Sequence, residues 1–203
     1  PVILVVSHGL GGGTLRYINE LTGFFSGRAH FLILEPLYGS SWEPQANRKI
    51  VLRPAAVDED NRLVIDTFED YDHLMNVLRE CGVTRVSLQH LLYVNFDVKR
   101  LIDKLNVPFD FTVHDYFTIC PYVNLTTSEA KYCGEPASAE CNRCISQRMV
   151  HGARDIIWWR KSFEWLFRHA DRVICPSKDT AGRLSRYFDC DSLKMVYHGS
   201  LLP

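Results

Sequence analysis

Phe109-Asp110-Phe111-Thr112-Val113-His114-Asp115 joins a short apolar run to a polar pair, and the rest of the chain falls into place around it. The run follows Pro108 and reads as a buried strand. His114 and Asp115 then stand where a parallel strand would end. Ligands of open α/β sheets gather outside the carboxyl ends of strands, so both residues are candidate catalytic groups. A plainer reading makes His114 a hydrogen-bonded strand-end histidine and Asp115 a turn cap.

The same grammar recurs upstream. Val2-Ile3-Leu4-Val5-Val6 is an unbroken apolar run of the kind found in central parallel strands. Ser7-His8-Gly9-Leu10-Gly11-Gly12-Gly13-Thr14 follows, then a helix marked by Leu15, Ile18, Leu21 and Phe25. A strand that turns through glycines into a helix N-terminus lets backbone N–H groups approach an anion. One glycine serves a tight turn; three in a row at Gly11, Gly12 and Gly13 suit close approach of a ligand or another domain. The dinucleotide fingerprint G-x-G-x-x-G is not met, because its last position is Thr14 counted from Gly9 and Arg16 counted from Gly11.

Further strands are expected at Phe31–Leu34 and Val83–Leu88, the latter followed by Gln89-His90. The segment Pro36–Asn47 reads as a loop. Ile50–Leu52 and Leu63–Ile65 flank Asp58-Glu59-Asp60-Asn61 and read as a hairpin or a pair of short strands. Helices are marked by Tyr71, Leu74, Met75 and Leu78, ending near Gly82, and by Val98, Leu101, Ile102 and Leu105. Past the cysteine-rich segment, Ile145–Ala170 reads as helix interrupted near Gly152. Arg172–Cys175 is a strand, Ser177 caps a helix with Asp179 in its first turn, and Met195–Tyr197 is a last strand. Strands alternating with helices imply an α/β fold with a Rossmann-like, doubly wound, mostly parallel sheet and helices on both faces. His90 ends its strand as His114 does and is a candidate substrate-binding residue; a packed histidine fits that position equally.

The 203 residues, 46% hydrophobic and 23% charged, suit one globular domain or two small ones. A net charge of −1 with no long basic run gives no footprint for nucleic acid. No apolar run approaches the roughly 20 residues that span a bilayer. Seven cysteines is an odd number, and Cys81, Cys175 and Cys190 sit in or beside predicted elements like small hydrophobes. This usage fits a reducing cytoplasm rather than a disulfide framework.

The other four cysteines belong to an insertion at about 116–144 and read C-x12-C-x7-C-x2-C. Cys120, Cys133, Cys141 and Cys144 suit a structural, tetrahedral zinc site, and a segment with few apolar residues needs something to hold it. Two disulfides, or four free thiols, are the alternatives. Downstream, Ile156, Trp159, Phe163 and Leu166 form one stripe, while Trp158 and Trp165 lie beside Arg160, Lys161 and Arg168. The stripe is a packing face; the aromatic-basic face would suit a membrane surface.

The glycine turn after Val2–Val6, the Phe-Thr-Val-His-Asp-Tyr-Phe run at 111–117 and Ala170-Asp171-Arg172-Val173-Ile174-Cys175-Pro176-Ser177 together resemble glycosyltransferase family 4. The resemblance covers nearly the whole chain as the N-terminal, acceptor-side half of a GT-B fold. The cysteine-rich segment resembles members that build bacterial cell-surface polysaccharides. Val196-Tyr197-His198-Gly199 resembles the passage into the C-terminal half. The resemblance implies a retaining transferase, hexosyltransferase in type, with a nucleotide-sugar donor and a saccharide or lipid-linked acceptor. It implies further that the C-terminal nucleotide-sugar-binding domain is absent from this chain, that the fragment alone is inactive, and that the protein works in the cytoplasm or at the inner membrane face. By that likeness Gly11–Gly13 approach the phosphates or acceptor, and His114 approaches the transferred sugar. Pro1 in place of an initiator methionine, and an end just past a strand, agree with a fragment.

Two other functions fit parts of the pattern. Glu35 ends a strand 24 positions after Gly11, near the ribose-binding offset of an NAD-type oxidoreductase or epimerase. A zinc-stabilised module that binds without catalysing is the other.

Overall fold

The structure is a computed structural model that describes residues 1–37, 48–56 and 61–196. The expected loop after Pro36, the acidic turn at 58–60, and the Tyr197-His198-Gly199 passage therefore lie largely or wholly outside the described residues. The chain divides into two compact units, Pro1–Thr112 and Val113–Pro203.

The first unit is a Rossmann-like α/β layer. Its elements are β1 (Val2–Val6), α1 (Gly12–Phe24), β2 (His30–Pro36), β3 (Lys49–Pro54), β4 (Leu63–Asp66), α2 (Tyr71–Glu80), β5 (Val83–Leu88), α3 (Val98–Leu105) and β6 (Phe109–Thr112). They pair in the order β4-β3-β2-β1-β5-β6. β1 runs parallel to both β2 and β5, and β5 parallel to β6. With neighbours on both edges, β1 buries Leu4, Val5 and Val6 completely, which is why it reads as a continuous apolar run. β3 turns back antiparallel on β2, and β4 on β3, forming the expected pair of short strands. Asp97 caps α3 by accepting the Arg100 N–H, and Asn106 closes it in the left-handed conformation at φ 53°.

The second unit carries α4 (Ser138–Gln147), α5 (Ile156–His169), β7 (Arg172–Cys175), α6 (Lys178–Leu184) and β8 (Leu193–Met195). β8 pairs parallel with β7 and starts two residues before the expected strand. The long helical stretch breaks where glycine allows it, with His151 and Gly152 at φ 51° and 66°. Asp155 restarts it as N-cap of α5, accepting the Trp158 N–H at 2.8 Å. Ser177 caps α6 as its sequence implies. Phe167 of α5 stacks on Phe188 with ring centroids 4.0 Å apart.

The insertion departs from expectation. It holds a core of its own: Phe117, Ile119, Tyr122 and Leu125 are all buried. Phe117 packs edge-on against Trp159, whose indole N–H donates to the Phe117 carbonyl at 2.7 Å. A polar clamp fixes the other end. The Glu135 carboxylate, 3% exposed, pairs with Arg183 of α6 and accepts the Tyr132 and Tyr187 hydroxyls at 2.7 and 2.9 Å. Glu135 sits at φ 51°, a conformation that a non-glycine residue keeps only where its surroundings over-determine it.

Candidate functional site

In the first unit, polar side chains collect at the carboxyl ends of β1, β2 and β5. Gly9, Gly11 and Gly12 adopt φ 67°, 83° and 69°, turning the chain sharply from β1 into α1. A Cβ on Gly9 would stand 3.1 Å from Glu35 Oε2, so this position needs glycine twice over. Gly11, Gly12 and Gly13 have nothing within 4 Å of where a Cβ would be. Gly11 caps α1 without a side-chain hydrogen bond. The first-turn N–H groups of α1 are thus left for an anion or water.

Beside this turn lies a small, open pocket, lined among others by Ser7, His8, Asn19, Glu35 and Arg53. Arg53 Nε donates to Glu35 Oε1 at 3.1 Å, and both side chains are about one-fifth exposed. Glu35 is therefore already committed to a guanidinium, which counts against its reading as a ribose-binding acid. His8 follows β1 as His90 follows β5, and the two rings meet with centroids 4.7 Å apart. Nδ1 of each accepts a backbone N–H two residues on, from Leu10 at 2.9 Å and from Leu92 at 3.0 Å. The ring proton of each neutral imidazole consequently sits on Nε2. Beneath them, Gln89 donates to Ser87 and Thr112 hydroxyls at 2.8 and 3.3 Å. His90 is thus a buried member of a polar layer at the strand ends.

Sequence reasoning passed over His8, Glu35 as a cavity wall, and Arg53. His8 had a signal, since it stands two residues past the apolar run Val2–Val6 and directly before Gly9. Arg53 had none; only the pairing of β2 with β3 brings it to Glu35.

In the second unit, His114 and Asp115 are half-buried and follow Val113, whose N–H donates to the Ile174 carbonyl at 2.9 Å. Asp115 Oδ1 accepts the Phe117 N–H at 2.8 Å, a turn-capping bond. Tyr116 donates to Asp179 of α6 at 3.1 Å.

The four cysteines of the insertion are free thiols. Burial pushes the Cys120 thiol up to about 11; a backbone hydrogen bond at Tyr122 opposes this, and Cys133, Cys141 and Cys144 raise it further. Yet no group of three or more His, Cys, Asp or Glu side chains is placed to hold a metal ion among the described residues. The expected structural zinc is therefore not supported, and neither is a metal-ligand role for Cys120, Cys133, Cys141 and Cys144. The reason is visible in the packing. The insertion does not lack apolar residues, and Phe117, Ile119, Tyr122, Leu125 and the Glu135–Arg183 clamp supply the fastening that zinc was invoked to provide.

Among the described residues, no helix is long and apolar enough to cross a membrane. Compared with known proteins, residues 11–199 match the sequence model of the family described as Glycosyltransferase Family 4. No curated protein matches the chain.

Proposed function

We propose that this chain, which belongs to glycosyltransferase family 4, forms the acceptor-side half of a retaining transferase that moves a sugar from a nucleotide-sugar to a hydroxyl of a saccharide or lipid-linked acceptor. The family match over residues 11–199 carries this reading. The bond from the sugar's anomeric carbon to phosphate breaks, a bond to the acceptor oxygen forms, and the hydroxyl proton leaves with the nucleotide phosphate. The N–H groups at Gly11–Gly13 approach the phosphates or the acceptor; the open space at these glycines and the uncapped α1 terminus support that role. His114 hydrogen-bonds the transferred sugar as positive charge develops on it, and Asp115 orients the loop that carries it. His90 supports the strand-end layer from which substrate is met. The nucleotide is held mainly by a second Rossmann-like half. The setting is the cytoplasmic synthesis of a surface polysaccharide.

The test is sugar transfer by the full-length protein, offered UDP- and GDP-sugars with saccharide and lipid-linked acceptors, the product anomer being read by NMR. Transfer with retained configuration supports the reading. Inversion sinks the mechanism, and saturable NAD binding with no transfer sinks the activity. Robust turnover by the 203-residue chain would remove the need for a second half.

A further inference from the structure

The first turns of α5 and the loop before it carry the largest unexplained apolar exposure in the second unit. Met149 is 81% exposed, Ile157 61% and Trp158 41%. Ile156 and Trp159 of the same helix are buried, so Ile157 and Trp158 stand on the opposite face by helical geometry. Cations are interleaved with them. Arg154 lies over the Trp158 ring at 5.4 Å, Lys161 is exposed one turn further on, and Arg148, next to Met149 and exposed, lies over the Tyr122 ring at 4.4 Å. Between Arg148 and Ala170 the chain places five Lys or Arg against two acids, in a molecule of net charge −1. Both acids are engaged locally: Asp155 accepts the Trp158 N–H, and Glu164 pairs with Arg168 at 2.6 Å. The aromatic-basic face expected from sequence is smaller in the structure. Arg160 leaves it, because it lies over the Tyr187 ring at 4.0 Å and donates to the Ile119 carbonyl.

We infer that Met149, Ile157 and Trp158, framed by Arg148, Arg154 and Lys161, form a docking surface for an anionic lipid bilayer. Large apolar side chains ringed by cations, with a Trp between the two, match the interface of acyl chains and negative headgroups. Charge complementarity selects this occupant: a face of this sign repels a second copy of itself, and a purely apolar partner would not require the cations. The inference is independent of the transfer reaction and is tested without substrate.

The experiment is cosedimentation of the full chain with phosphatidylglycerol-rich vesicles and with phosphatidylcholine vesicles, at low and at high salt. Binding should favour the anionic vesicles at least tenfold and weaken with salt, since exposed charges are screened within about 10 Å at 0.1 M. Met149→Asp/Ile157→Asp and, separately, Arg148→Glu/Arg154→Glu/Lys161→Glu should each cut vesicle binding about tenfold or more. These positions are exposed, so circular dichroism should stay unchanged; the two variants fail by different routes if one misfolds. No binding to anionic vesicles overturns the inference. So does equal binding to neutral ones, or a light-scattering dimer that Ile157→Asp dissolves, which would name a second copy as occupant.

Discussion

His8 and His90 close the carboxyl ends of two adjacent parallel strands as a tilted pair, their ring centroids 4.7 Å apart and their planes inclined by 58°. Each ring accepts a backbone N–H from the residue two positions on, so each fixes the loop that leaves its own strand. The glycine turn and the loop after β5 are thereby tied to one another through two imidazoles.

Replacing either histidine with alanine should remove the acceptor of a part-buried N–H and cost about 0.5–1.5 kcal/mol. Asparagine can accept the same i+2 N–H and should recover part of that loss. Urea unfolding of His90→Ala and His90→Asn measures both. Equal stability of all three proteins would mean that the pair does not hold the loops.

Glu35 and Gly9 make a second test. Gly9→Ala forces a side chain into a left-handed conformation and against the Glu35 carboxylate, and should destabilise by more than about 1 kcal/mol. Gly13→Ala lies in α1 at ordinary helical φ with open space around it, and should stabilise by about 0.4–1 kcal/mol. If backbone at Gly13 meets substrate, the same change should lower transfer by the full-length protein. Stability and activity moving together at Gly13 would contradict a ligand role there.

The Glu135 clamp gives a pH prediction. Burial would raise this carboxyl, but hydrogen bonds from Tyr132 and Tyr187 and the charges of Arg183 and Arg186 hold it below the usual carboxylate range. A depressed acid contributes stability above its unfolded pKa, about 4.3, and loses it as pH falls through the lower folded value. Stability should therefore drop between about pH 5 and pH 3, and Glu135→Gln should flatten that drop while weakening the protein at pH 7. An unchanged acid-unfolding profile in Glu135→Gln would remove the clamp from the account.

The thiols should react in order of burial. Burial pushes Cys175 up to about 12, with Cys190 adding to the shift, and Cys120 up to about 11. Cys81 is exposed. Because the thiolate is the nucleophile, iodoacetamide at pH 7.5 should label Cys81 first and reach Cys175 only on unfolding. Peptide mapping showing early labelling of Cys175 would contradict its burial.

Much of the fold was legible because its signals are local. The runs at Val2–Val6 and Val83–Leu88, and the Ser177 cap, each depend on residues a few positions apart. The insertion was misread because its fastening is not local. Phe117, Ile119, Tyr122 and Leu125 follow no helical or strand period, and Arg183 meets Glu135 across 48 positions. Cysteine spacing was the one regular feature there, and it suggested a metal the packing does not require. Arg53 was likewise illegible, since it joins Glu35 only through the antiparallel return of β3. Helical spacing did separate Trp158 from Trp159, yet Arg160 took a partner, Tyr187 in the turn after α6, that no spacing rule announces.

The central claim is that a strand-end histidine of this chain, His114, assists glycosyl transfer. It is tested by measuring sugar transfer from a nucleotide-sugar by the full-length protein and by its His114→Ala variant, with thermal unfolding recorded for both. Loss of one transition-state donor predicts kcat lower by roughly 10²–10³ at nearly unchanged melting temperature. Near-normal kcat in the variant would contradict it.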